Sequence, residues 1–156
     1  MADLSARHIR GIGLPDLVIA LVIASLLMSL AIPAYNGFVV RAKNARAIGD
    51  IGSIQVQIER FRLKNNDRVP LSLNELDFEV PVDPWGQPYE FLNIFRSGAG
   101  VGGLRRDGQL NPLNTDYDLY SRGEDGSTSG SLSASASRDD IVRANNGAYI
   151  GLGEDY

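Results

Sequence analysis

Two sets of acidic residues stand where a carboxylate has chemistry to do. Asp16 sits at the head of a long apolar run, Leu14-Pro15-Asp16-Leu17-Val18-Ile19 and onward. A charge there is costly in a lipid bilayer and calls for a positive partner. A helix N-terminus also tolerates an interfacial carboxylate through its dipole. The second set is Asp125, within Arg122-Gly123-Glu124-Asp125-Gly126, and the later pair Asp139-Asp140. Acidic points around a bent Gly-rich loop suit Ca2+, which takes about six to eight oxygen ligands from carboxylates and carbonyls. They suit a solvated acidic turn as well.

Other chemistry is excluded by what the chain lacks. Its 156 residues contain no Cys and a single His, His8. A disulfide framework, a thiolate zinc site and a cysteine nucleophile are therefore ruled out. A Ser-His-Asp triad or multi-histidine metal site is not expected from one His within the first ten residues. The 15 basic residues are outnumbered by 19 acidic ones, giving a net charge of -4. That balance argues against binding nucleic acid, which rewards clustered positive charge. No P-loop, dinucleotide motif or supported pair of catalytic carboxylates occurs. The chain does not read as an enzyme.

The elements that must position the acids are unevenly distributed. Leu17 to Val40 is 24 residues without a charge, a rise of about 36 Å as a helix, against a hydrocarbon core of about 30 Å. Arg41, Lys43 and Arg46 follow at once. Past Tyr35 the larger apolar residues Phe38, Ala45, Ile48, Ile51, Ile54, Ile58 and Phe61 recur in steps that place them on one helical face. The pattern predicts one helix from about Leu14 to Lys64, roughly 75 Å long. Its first half is apolar all round and its second half amphipathic, with a stop at Lys64-Asn65-Asn66-Asp67. Pro15 suits a first turn, whereas Pro33 predicts a kink or local opening. Cleavage after Gly11 would put a new α-amine on Ile12, four residues before Asp16.

The remaining chain reads as a small polar domain. Ser72-Leu73-Asn74-Glu75 has the capping-box spacing of a short helix. Val80 to Phe91 holds three prolines around Trp85, a core anchor, and Tyr89-Glu90-Phe91-Leu92 reads as a strand. Asp116 to Tyr120 reads as another, with Tyr117 and Leu119 on one face. Arg105-Arg106 reads as a solvated turn. The Ser-rich stretch 127–137 reads as a mobile surface loop. Val142 to Tyr156 carries no recognisable chemistry.

Gly11-Ile12-Gly13-Leu14-Pro15-Asp16-Leu17, the apolar stretch and Pro33 together resemble the leader and N-terminal helix of type IV pilins and type II secretion pseudopilins. Those families read G-F-T-L-[IP]-E-L, so Ile12, Gly13 and Asp16 depart from the usual Phe, Thr and Glu. The resemblance implies a prepilin peptidase cutting between Gly11 and Ile12 and N-methylating Ile12. It also implies that Asp16 of an incoming subunit pairs with the Ile12 amine of a neighbour. Asp83-Pro84-Trp85-Gly86-Gln87-Pro88-Tyr89 resembles the D-P-W-G-x-P-Y segment of the major pseudopilins of type II secretion.

This second resemblance implies an α+β, pilin-like fold, in which the long helix packs its second half on a small antiparallel sheet with a calcium loop. The implied ligands are the Asp125, Asp139 and Asp140 side chains with the Arg122 and Ser127 carbonyls. The implied organisation is a leader at 1–11, a membrane and polymerisation segment at 12–40, and a periplasmic domain at 41–156. The expected location is the bacterial inner membrane, in a single pass. The expected partners are further copies of the chain, minor pseudopilins, the inner-membrane assembly platform and the prepilin peptidase. The expected role is structural, as a subunit of a short periplasmic filament that moves exported proteins. Two alternatives are a type IV pilus pilin or minor pilin, and a membrane-anchored calcium-binding or hydrolytic domain that does not polymerise. Many pilins close a C-terminal loop with a disulfide, which a chain without Cys cannot do.

Overall fold

The computed structural model describes residues 13–96, 103–108 and 110–156. Its contacts divide the chain into two compact units, Met1–Val39 and Val40–Tyr156. Helix α1 (Leu14–Lys64) begins in the first and ends in the second. In the first unit, residues 14–36 are exposed throughout, including Leu21, Leu26, Leu30 and Ile32. By length and composition this helix can cross a membrane. The helix runs unbroken through Pro33. Asn66 and Asp67 end it in left-handed conformations, φ 53° and 62°, and the Asp67 N–H reaches back to the Arg62 carbonyl at 2.9 Å. The predicted stop is therefore a helix C-terminal turn of the usual kind.

Within the second unit α1 buries Ala47, Ile51, Ile54 and Ile58 completely. Ile48 and Phe61 pack at the margins of this row. Ala45, expected on the inner face, is exposed. The buried row steps 47-51-54-58, and Ala45 lies two residues off its start, across the helix.

The row packs on a four-stranded antiparallel meander, β1 (Glu90–Asn93), β2 (Tyr117–Ser121), β3 (Ile141–Ala144) and β4 (Tyr149–Leu152), in that spatial order. Phe91 pairs with Leu119 across β1 and β2, and Val142 with Gly151 across β3 and β4. Tyr117, Leu119 and Ile141 join Val69, Leu76 and Tyr89 in the core beneath α1. Both predicted strands are present, and Tyr117 and Leu119 share the face foreseen for them. Trp85 packs at the edge of this core, as expected of an anchor. A smaller cluster of Leu113, Leu132, Val142 and Ala144, flanked by Tyr120 and Tyr149, completes the packing.

Arg143 of β3 braces the sheet. Its guanidinium takes both Asp116 oxygens at 2.9 and 2.8 Å, the Gln55 Oε1 of α1 at 3.0 Å, and lies 3.9 Å from the Tyr117 ring centroid. A buried arginine is tolerated when its donors are matched in this way.

Two expectations change. The Ser72 capping box is a single 3-10 turn, Leu73–Glu75, with no side-chain cap from Ser72. Glu75 reaches back one residue too far, to the Leu71 N–H at 2.9 Å, and pairs with Arg68 at 2.9 Å. The ion pair draws the carboxylate away from the capping position. The tail after Val142, which showed no pattern of its own, supplies the end of β3 and all of β4.

Candidate functional site

The acidic loop begins where β2 ends and is built on three supports. The first is the Asp83–Tyr89 string. Its chain folds back on Asp83, whose Oδ1 accepts the Trp85 and Gln87 N–H groups at 3.0 and 2.8 Å. Asp83 is buried, and its Oδ2 accepts the Ser121 hydroxyl at 2.6 Å. The Ser121 oxygen in turn accepts the Gly123 N–H at 3.2 Å. A chain of hydrogen bonds thus leads from the Pro- and Gly-bounded turn into the first residues of the loop. Neither Trp85 as a core anchor nor the prolines as turns point to Asp83 as a support of the loop. Its signal was an acid two and four residues ahead of free N–H groups, the pattern of an Asx turn.

The second support is Asp139. Its Oδ2 accepts the Asp125 N–H at 2.9 Å across a gap of 14 residues. The Asp125 Oδ1 accepts the Ser127 N–H at 2.7 Å. Gly123 lies against the Asp139 backbone at φ +64°. Arg122 turns its side chain away to Glu90 of β1, an ion pair between partly exposed groups. The Asp125 backbone and the Asp139 carboxylate are therefore in contact, with Arg122 and Ser127 near Asp125 in sequence.

The third support is Arg105, and it takes Asp140. The Asp140 carboxylate is fully buried, and its Oδ2 meets the Arg105 guanidinium at 2.5 Å and the Thr128 hydroxyl at 2.6 Å. Burial pushes this carboxyl above its ordinary value, against the pull of Arg105 and Thr128. Only Oδ1 is left without a hydrogen-bond partner. Arg105 itself is 4% exposed, so the expected solvated turn is instead an internal clamp. The Ser-rich stretch is also packed: Leu132 and Ser137 are buried, and the Ser137 hydroxyl bonds the Ser129 N–H and carbonyl at 2.8 and 3.0 Å.

Among the described residues no three acidic or imidazole side chains converge as a metal group. The donors present are nevertheless hard oxygens of the kind Ca2+ takes: the Asp139 carboxylate lies on the Asp125 N–H, and Asp140 Oδ1 has no hydrogen-bond partner.

At the other end of the chain, Asp16 stands in the first turn of α1 and accepts the Gly13 N–H at 3.0 Å. Within one chain the carboxylate caps its own helix. Gly11 and Ile12 lie outside the described residues. Pro33 lies within the exposed apolar stretch.

No family model matches this sequence, and no solved structure matches it. Curated relatives do. The chain is 32% identical over 117 residues, 75% of this chain and 70% of the relative, to the type II secretion system core protein G of Pectobacterium carotovorum. Proteins of the same name from Aeromonas hydrophila and Pseudomonas aeruginosa are 27% and 26% identical. These alignments cover 72% and 80% of this chain and 92% and 90% of the relatives. With the second half of the long helix laid on an antiparallel meander and the Asp83–Tyr89 turn bound to an acidic loop, this similarity shows that the chain belongs to the type II secretion system core protein G family.

Proposed function

We propose that the protein is a structural pseudopilin that polymerises into a periplasmic filament of a type II secretion system and catalyses nothing. The observation that carries this reading is the apolar half of α1. Leu14, Leu21, Leu27 and Leu30 are each more than 60% exposed, so the chain alone leaves a membrane-length apolar surface uncovered. Lipid covers it before assembly, and equivalent helices cover it in a filament. Cleavage between Gly11 and Ile12 with N-methylation of Ile12 prepares the subunit. Asp16 then exchanges its own Gly13 N–H for the Ile12 amine of a neighbouring copy, so that neither charge is left unpaired in low dielectric. Minor pseudopilins, the assembly platform and the prepilin peptidase are the partners of this reading.

Asp16→Ala tests it. The variant is expected to be cleaved normally, giving a mature chain that starts at methylated Ile12 by mass analysis, yet to form no filaments. Filaments of normal abundance from Asp16→Ala rule out the charge-pairing step. An intact leader rules out the processing step.

Ca2+ is the second part of the proposal. The Asp125 and Asp139 carboxylates and the Arg122 and Ser127 carbonyls would hold it, with Asp140 having Oδ1 to offer. The ion supplies a cross-link between the two ends of the loop, in a small domain that has no disulfide to do so.

A further inference from the structure

The far end of the acidic loop is held by a cation that is part of the chain, the Arg105 guanidinium on Asp140. We propose that Arg105 is a resident latch: it fastens segment 128–140 whether or not Ca2+ is bound, so that the metal orders only the first part of the loop. This rests on the calcium reading above only for the division of labour, since the latch itself involves no metal.

Arg105 spans the space between three chain segments. Its Nη1 donates to the Thr128 hydroxyl at 2.5 Å and the Ser129 carbonyl at 2.8 Å, and its Nη2 meets Asp140 35 residues away. The guanidinium lies 4.1 Å from the Tyr120 ring centroid, so β2 forms its floor. Its backbone is held as firmly, with the N–H on Asp118 Oδ2 at 3.0 Å and the carbonyl on the Leu113 N–H at 2.7 Å. The next residue continues the attachment: Arg106 donates its N–H to the Gly130 carbonyl at 2.8 Å and accepts the Leu132 N–H at 2.9 Å. A planar fork with several fixed donors can bind a carboxylate, a hydroxyl and a carbonyl together, which an ammonium cannot do as well.

The position of the positive charge decides the argument. A divalent ion drawn fully onto Asp140 would have to displace or sit beside a guanidinium already in ion-pair contact. Asp125 and Asp139 have no arginine on their carboxylates among the described residues. The inner acid is therefore neutralised by the chain, and the outer two remain for the metal. The Arg105 side chain and the Arg106 backbone fasten the Ser-rich segment from outside it, and Asp139, next to Asp140, is delivered to Asp125 by the same anchor.

Amide hydrogen exchange on the full chain in detergent micelles, in EGTA and in Ca2+, tests the proposal. In wild type the amides of Ser129, Leu132 and Ser137 are expected to be protected equally in both conditions, whereas those of 123–127 slow only with Ca2+. Arg105→Gln is expected to speed exchange at Ser129, Leu132 and Ser137 by about tenfold or more in both conditions, with Arg105→Lys between the two. Asp125→Asn is expected to abolish the response at 123–127 and leave 129–137 protected. Protection of 129–137 that appears only with Ca2+, or survives Arg105→Gln unchanged, overturns the latch. Should Arg105→Gln fail to fold, the wild-type comparison of EGTA with Ca2+ still decides. If Ca2+ alters exchange nowhere while 129–137 stays protected, the calcium reading fails and the latch stands.

Discussion

The Ser121 hydroxyl donates to Asp83 Oδ2 at 2.6 Å, and both groups are buried. This bond joins the Asp83–Tyr89 turn to the last residue of β2, from which the acidic loop departs. Ser121→Ala leaves one oxygen of a buried carboxylate without its donor and the Gly123 N–H without its acceptor. Hydrogen bonds to charged groups are worth about 1.5–3 kcal/mol, and a loss within that range is expected in chemical denaturation. Ser121→Thr keeps the hydroxyl and separates the bond from the space it occupies. A Ser121→Ala variant as stable as wild type would show that Asp83 is satisfied by Trp85 and Gln87 alone.

Calcium binding has a direct thermal signature, because a ligand that binds only the native state raises its stability. Ca2+ is expected to raise the melting temperature of the wild-type chain relative to EGTA, and Asp125→Ala is expected to remove that rise. Asp125 is exposed, so in EGTA the variant should melt close to wild type. If Ca2+ stabilises neither protein, the loop holds no calcium. If it stabilises both equally, the ion sits elsewhere.

Helix α1 was legible because its information is local: an uncharged run sets the first half, and steps of three and four set the second. The edge of its buried row was less so, since Ala45 and Ala47 differ only in which lies under the sheet. Strands β1 and β2 could be read from Tyr89–Leu92 and Asp116–Tyr120, with Tyr117 and Leu119 both turned to the core beneath α1. β3 hides its pattern because Ile141, Val142, Arg143 and Ala144 are all buried, and β4 is short and interrupted by Gly151. The acidic loop could be located by its spacing, but not the fate of each acid. Nothing near Arg105 in sequence announces Asp140 as its partner, and nothing near Asp140 announces a guanidinium. Local pattern cannot tell a solvated arginine from a buried clamp when the pairing closes over 35 residues.

Asp118 supplies a pH dependence of known sign. It is buried on β2, accepting the Arg105 N–H at 3.0 Å and the Asn114 amide at 2.9 Å. Burial pushes its carboxyl above the ordinary value of 3.8, and the two donors oppose the rise without cancelling it. The folded chain therefore binds this proton at a higher pH than the unfolded chain. By linkage the contribution of Asp118 to stability grows as pH falls through the folded pKa and is constant below 3.8. The expected observation is a side-chain carboxyl resonance that titrates above 3.8 by carbon NMR. A midpoint at or below that value would mean that the Arg105 and Asn114 donors outweigh burial.

Gly123 and Gly126 both stand in the left-handed region, at φ +64° and +68°, and they separate backbone strain from obstruction. A Cβ at Gly126 would approach the Gln87 side-chain amide at 2.8 Å, a flexible end that can move aside. A Cβ at Gly123 would overlap the Asp139 carbonyl oxygen and lie 2.6 Å from its carboxylate. Relief there means moving the segment that brings Asp139 to Asp125. Gly126→Ala is therefore expected to cost about 1 kcal/mol, the usual penalty for a left-handed alanine. Gly123→Ala is expected to cost clearly more and to weaken the stabilisation by Ca2+ as well. Chemical denaturation of both variants, each in EGTA and in Ca2+, measures the two effects separately. Equal losses at the two positions, with the calcium response intact, would show that the contact between Gly123 and Asp139 does not set the geometry of the loop.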